Sequence, residues 1–326
     1  MTFPYSLRLL CICLASFFLV HLAAGLVVSL AAPAAVRLAE KVRARRAAGL
    51  LLALRLLPVC LAAFVVAGLC VPSYLWLEPE ATAEEVGLAC LAAASLGAAV
   101  WGISIARGLR AVARSRRYFR RCRSIGCHIS LPGEPSPAWV VEGSAPLLAL
   151  TGIAHPRVVI SRPVVVALSA EQLAVAVRHE RAHRAAHDNL KRLLVLLAPG
   201  LLPFGAGFGA LERAWAKAVE WAADDRAVAG DSRRSLALAS ALVQLVRMGG
   251  AEQPPVLAAP LLSGGQDLRA RVDRLLRLAP RAETPDGRTP MLVASVTLVL
   301  AGALAAAMVQ PATLYSVHGV LERLVR

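Results

Sequence analysis

Aromatic and charged residues are both scarce in this chain. Phe, Trp and Tyr make up 5% of its 326 residues and Asp, Glu, Lys and Arg 17%, against 57% hydrophobic residues. A soluble globule carries about a quarter of its residues as charges, so this shortage excludes one, and much of the chain must face lipid. Acid is scarcer than base, 21 residues against 36, for a net charge of +15. A nucleic-acid-binding face would gather that excess on one surface interleaved with aromatics. Here the basic residues sit beside apolar runs, so the charge reads as membrane topology and no direct nucleic-acid binding is expected. The seven cysteines are odd in number, and Cys11, Cys13, Cys60, Cys70 and Cys90 lie in or beside apolar runs, which excludes a disulfide framework. Cys122, Cys127 and His128 could be read as a metal site, but they lack the second matched ligand pair usual in structural zinc sites. There is no internal repeat, and low complexity amounts to a bias toward Ala, Leu and Arg.

Four runs reach the roughly 20 apolar residues that a helix needs to cross a hydrocarbon core. They are 9–32, 56–77, 86–106 and 291–309. The first is longer than the apolar core of a signal peptide and reads as a retained anchor, although it contains His21, a polar residue in lipid. The connection RLAEKVRARR after the first run holds five basic residues, whereas EPEATAEE after the second holds four glutamates and no base. That asymmetry places the N-terminus outside and residues 107–290 in the cytoplasm of a multi-pass inner-membrane protein. Eight arginines between Arg107 and Arg123 are expected on anionic lipid head groups. Residues 310–326 form a short extracytoplasmic tail.

The cytoplasmic stretch 107–290 has the length of one domain. PAWVVEG and LLALTGIAHPRVVIS read as short strands of a small sheet, with a turn at 143–146. Ser169, with Gln172 three residues on, is a capping-box signature for a helix starting near Ala170. On that helix HERAH places His179 and His183 one turn apart on one face, with Glu180 beside them. This is the HExxH pattern of zinc peptidases: two imidazoles converge on a metal that acidifies a water, and the glutamate serves as general base. A third ligand is needed. The helical stretch KAVEWAADDRAVAG offers Glu220, with Asp224 one turn on to orient a ligand histidine from behind. Glu212 and His187 are alternatives, but His187 misses the third-histidine spacing of metzincins, which falls on Asn189. The oxyanion donor is left open between His155, Arg178 and His187. The apolar stretch 193–211 lies between the histidines and Glu220, so it must return to the side from which it left. Pro199, Gly200 and Pro203 suit a re-entrant or interfacial hairpin.

HERAH followed by Asp188 and Asn189, then EWAAD, resembles the BlaR/MecR-type antirepressor membrane metallopeptidases, which are membrane gluzincins. Three apolar runs before the domain and one after it, the TGIAHPRVVISRPVVVALSAEQL lead-in, and QDLRARVDRLL before the last run extend the likeness over nearly the whole chain. The resemblance implies a mainly α-helical membrane protein with four transmembrane helices and an α+β gluzincin-like zinc peptidase domain between the third and fourth. It also implies one Zn2+ held by His179, His183 and Glu220, with Glu180 as base and Asp188 and Asp224 as orienting carboxylates. The expected partners are the lipid bilayer, a protein substrate such as a transcriptional repressor in a signalling pathway, and a second copy of the chain as a homodimer. The sequence departs from β-lactam-sensing members by ending at Arg326, with no extracellular sensor domain after the last run. An HtpX/Ste24-like quality-control peptidase or a catalytically decayed scaffold is the alternative.

Overall fold

The computed structural model describes residues 4–78, 86–129, 138–143, 145–200, 206–249, 259–260, 265–277 and 310–325. The expected fourth span, 291–309, and the centre of the expected hairpin, 201–205, lie outside the described residues.

Among the described residues, three helices are long and apolar enough to cross a membrane. The first, α1 (Tyr5–Glu40), is unbroken despite Pro33. The second comprises α2 (Ala44–Val65), a π-turn at Val66–Cys70 and α3 (Val71–Leu77). The third, α4 (Leu88–Ile125), continues without a break from the apolar run through all eight arginines. At 1.5 Å per residue, Arg123 lies roughly 25 Å along the axis from Ala106. Ser104, Gly108, Ala111, Ser115 and Cys122 form the buried stripe of that helix, and the arginines occupy its exposed face.

A five-stranded sheet follows, ordered β1-β2-β4-β3-β5. Its strands are β1 (Cys127–Ile129), β2 (Ala138–Val141), β3 (Leu148–Thr151), β4 (Arg157–Ser161) and β5 (Ala259–Pro260). The β2/β4 pair is parallel and the other pairs are antiparallel. The expected strands therefore form, and β2, β3 and β4 are buried at nearly every position because both faces of the sheet are covered. Leu148, Leu150, Val158 and Ile160 face one core, while Trp139, Leu147, Ala149 and Val159 face another closed by Tyr118, Phe119 and Cys122 of α4. This alternation is the two-residue period of a strand.

The first core is built with α5 (Arg162–Ala167), α6 (Ala170–Ala185), α8 (Ala206–Val228), α9 (Ser232–Arg247) and α10 (Gly265–Arg277). Helix α6 starts where the sequence signals: Ser169 accepts a hydrogen bond from the Gln172 amide, and the Ser169 amide donates to the Gln172 side chain at 2.8 Å. Helix α8 ends at Ala229 and Gly230, both at positive φ, the latter at 75°.

The front half of α8 is embedded among the membrane helices. Phe208, Leu211, Trp215 and Val219 pack with Val28, Ala32 and Ala39 of α1 and Ala47, Ala48 and Leu51 of α2. Gly207 lies so close to Ser29 that a Cβ there would collide with the serine side chain. Helix α7 (Asp188–Leu197) packs against α4, where Gly108 makes room for Leu197. At the opposite end of the bundle a terminal helix, α11 (Pro311–Val325), sets Leu321 and Val325 against Ile12, Cys70 and Tyr74. The Gly87 amide there donates to the Val325 carbonyl at 2.6 Å. His21 of α1 is buried and stacked on Phe17.

Candidate metal centre

Two segments distant in sequence meet at this site. Helix α6 brings His179 and His183, which are fully buried, with Nε2 atoms 3.0 Å apart. Helix α8 brings Glu220, whose Oε2 is 3.5 Å from His179 Nε2 and whose Oε1 is 3.7 Å from His183 Nε2. Among the described residues this is the group that could hold a metal ion. Donors about 2.1 Å from a tetrahedral ion stand about 3.4 Å apart, so the spacing fits.

A carboxylate also lies behind each imidazole, hydrogen-bonded to His183 and at ion-pair distance from His179. His179 Nδ1 is 2.9 Å from Asp224 Oδ1, and His183 Nδ1 is 2.8 Å from Asp188 Oδ2. A carboxylate at Nδ1 fixes a proton there and leaves the Nε2 lone pair facing inward, as a ligand histidine requires. Two such lone pairs 3.0 Å apart repel unless a cation lies between them. Burial opposes charge on His183, but Glu220 and Asp188 outweigh it and lift the imidazole to about 10. His179 is raised in the same way by Asp224 and Glu220 against burial. Glu220 lies well below the ordinary carboxylate range despite its burial, held there by His183, His179 and Arg271.

Glu180 differs from the other acids. It is fully buried, neither carboxylate oxygen has a hydrogen-bond partner among the described residues, and burial pushes its carboxyl up to about 7. An acid poised near neutrality can take a proton and pass it on.

Two arginines that sequence reasoning missed complete the cluster. Arg271 of α10 is 1% exposed; it donates to both Asp224 oxygens, at 2.9 and 2.7 Å, and its Nη1 is 3.2 Å from Glu220 Oε2. Arg192 of α7 donates to Glu220 Oε1 at 3.4 Å. Both were legible in principle. Arg271 falls on the apolar stripe of Leu268, Val272 and Leu275, and Arg192 falls on the buried stripe of Asp188, Asn189 and Val195, where a charge needs a buried partner. Asn189 ties α7 to the sheet by donating to the carbonyls of Leu150 and Gly152.

The three candidate oxyanion donors make no hydrogen bond or ion pair to the metal group among the described residues. His155, Arg178 and His187 are all exposed, the last in a left-handed conformation at φ 55° between α6 and α7. The alternative third ligand Glu212 lies two turns up α8, bound to Arg55 of α2. Cys122 is buried, Cys127 is exposed and His128 lies against the Trp139 ring, so these three serve the β1–β2 region rather than a described metal group.

Residues 144–275 match the family model described as BlaR1 peptidase M56. Searches of curated proteins and of solved structures each return no match. The matched stretch contains His179, His183 and Glu220, the orienting acids and both arginines, together with most of the sheet. Over the segment that carries this site, the chain is similar to the BlaR1-type M56 peptidases.

Proposed function

We propose that the chain is an integral membrane zinc endopeptidase that cuts a cytoplasmic or membrane-proximal protein, with a transcriptional repressor as the substrate class suggested by the family it resembles. The observation that carries this reading is the convergence of two carboxylate-backed imidazoles and Glu220 on one buried point beside Glu180. His179, His183 and Glu220 would hold the ion. When bound, it supplies Lewis acidity to a water and to the scissile carbonyl. Glu180 takes the water's proton and delivers it to the leaving amine. Asp188 and Asp224 keep the imidazoles turned toward the ion, and Arg271 fixes Asp224.

The peptidase domain is read as residues 107–290, facing the cytoplasm at the inner membrane surface. Arg107 and Arg110 meet anionic head groups. The later arginines of α4, from Arg114 to Arg123, lie about 12 to 25 Å along the helix beyond Ala106, against a screening length of roughly 8 Å in physiological salt.

Two variants test the reading together. Glu180→Gln keeps the shape of the site while removing the base, so it should bind one zinc per chain and cleave nothing. Glu220→Ala should lose zinc, with the metal-linked part of thermal stability going with it. Metal analysis of the purified proteins and cleavage of a quenched fluorescent peptide cut by the wild type provide the readouts. Wild-type turnover by Glu180→Gln, or stoichiometric zinc in Glu220→Ala, would refute the mechanism.

A further inference from the structure

A peptidase of this kind must stabilise the charge that develops on the scissile carbonyl oxygen, and among the described residues none of His155, Arg178 and His187 makes a hydrogen bond or ion pair to His179, His183 or Glu220. The geometry points to Arg192 as the catalytic residue that meets that oxygen, an inference that rests on the zinc-peptidase reading above.

Position is the first argument. Arg192 Nη2 is 3.4 Å from Glu220 Oε1, which is itself 3.7 Å from His183 Nε2, so the guanidinium stands one carboxylate oxygen away from a ligand nitrogen. Accessibility is the second. The His179 and His183 side chains are 0% exposed, Arg271 1% and Glu220 6%, whereas Arg192 is 16% exposed. A polypeptide approaching the metal point therefore meets Arg192 before any other charge in contact with Glu220.

Arg271 is locked by paired hydrogen bonds to Asp224 and cannot leave without uncovering a buried carboxylate. The contact from Arg192 to Glu220 is long for a charge-assisted hydrogen bond, which ordinarily measures about 2.7–2.9 Å. Catalytic contacts are often loose before substrate arrives and tighten in the complex. A guanidinium stays protonated at any working pH and presents several donors in a fixed plane, a geometry suited to an anionic oxygen.

The step balances as follows. Water loses a proton to Glu180 and its oxygen bonds to the carbonyl carbon. The π pair moves onto the carbonyl oxygen, where Arg192 donates hydrogen bonds to the resulting anion. The C–N bond then breaks as the carbonyl re-forms, and the proton held by Glu180 passes to the departing nitrogen.

The test uses the full-length protein in detergent, loaded with zinc, comparing wild type with Arg192→Ala, Arg192→Gln and Arg192→Lys. Zinc content, kcat and KM on the same quenched peptide, and the affinity of a phosphinic peptide that mimics the tetrahedral adduct are measured for each. Removing a single oxyanion donor costs about 10²–10³ in kcat. Arg192→Ala should keep stoichiometric zinc, lose about that factor in kcat with little change in KM, and lose phosphinic-peptide affinity in parallel. Arg192→Lys should recover part of both, and added guanidinium ion should partly rescue Arg192→Ala. Loss of zinc from folded Arg192→Ala and Arg192→Gln would overturn the proposal, since Arg192 would then merely hold Glu220. Unchanged kcat, or a fall in kcat with unchanged phosphinic-peptide affinity, would overturn it as well. If Arg192→Ala does not fold, the Gln and Lys variants decide by the same comparison. Failure of the wild type itself to bind zinc or cleave the peptide would instead count against the zinc-peptidase reading.

Discussion

A carboxylic acid sealed from water with no hydrogen-bond partner favours its neutral form, and Glu180 is such a group. Its carboxyl is raised by burial from an ordinary value of 4.5 to about 7. The linkage follows from the sign of that shift: the folded state binds the proton more tightly, so the contribution to stability is full below pH 4.5 and is lost as pH rises through 7. Glu220, Asp224 and Asp188 shift the other way, so their contribution is present at neutral pH and lost as pH falls through their depressed folded values. Glutamine at position 180 has the shape of the acid without its titration. In metal-free protein, thermal midpoints of wild type and Glu180→Gln should therefore run parallel below about pH 4.5 and diverge toward pH 7, with the variant gaining, because only the wild type has a buried acid to ionise. Melting curves in detergent with a chelator present, from pH 4 to pH 8, check this. A pH-independent gap between the two proteins would remove the raised carboxyl from the account.

At the scale of elements, the decisive part is α8, which carries Glu220 and Asp224 at one end and is gripped by the membrane helices at the other. The grip includes Arg55 of α2, a buried cation at the start of an apolar run. It donates to Glu212 at 2.7 Å and to the carbonyls of Ala198 and Pro199 at 3.2 and 3.5 Å, with its guanidinium 4.6 Å from the Phe208 ring centre. One side chain thus ties both borders of residues 201–205 to α2 and satisfies carbonyls left by the end of α7. Leaving a buried acceptor unpaired costs about 1–3 kcal/mol, so Arg55→Met should lower stability by on the order of 3 kcal/mol and Arg55→Lys by less. Thermal unfolding of the two variants with zinc bound measures it, and an unchanged midpoint for Arg55→Met would show that the clasp contributes nothing. Local pattern made several elements legible in advance: the Ser169 cap, the strands around Trp139 and Val159, and the one-turn spacing of His179 and His183. What joins α6, α7, α8 and α10 depends on contacts 28 to 47 residues apart along the chain. No local period encodes such contacts, so Arg192 and Arg271 were missed, although each lies on a buried stripe that signals a partner somewhere. For the arginines after Ala106 the missing information is of a different kind. Composition showed their charge, whereas only the unbroken α4 shows that the helix carries most of them away from the apolar run.

Across the whole molecule, the described residues divide between two ends of one helical bundle. Helix α1, with 36 residues, is about 54 Å long, well beyond a hydrocarbon core of about 30 Å. Its second half carries the contacts to α8, while its first turns meet α3 and α11. The outer end has its own polar closure: buried Arg8 donates to the Tyr74 hydroxyl at 2.7 Å and pairs with Glu78 at 3.1 Å, and His318 of α11 is 3.7 Å from Glu78. The basic connection between α1 and α2 lies at the peptidase end and the acidic Glu78 at the other, so the positive-inside rule assigns the peptidase end to the cytoplasm. Reporters fused after Arg123 and after Gly249 should accordingly read cytoplasmic, and those fused after residue 80 and after Arg326 should read external. The last of these is the most demanding. Arg277 belongs to the peptidase end and Gln310 begins the helix at the opposite end, so an external C-terminus requires the chain to cross between them. An external reading at Gly249 would place the helices bearing His179 and Glu220 outside the cytoplasm and sever the site from a cytoplasmic substrate. A cytoplasmic reading at Arg326 would instead detach α11 from the outer ends of α1 and α3 and leave Glu78 and His318 without each other.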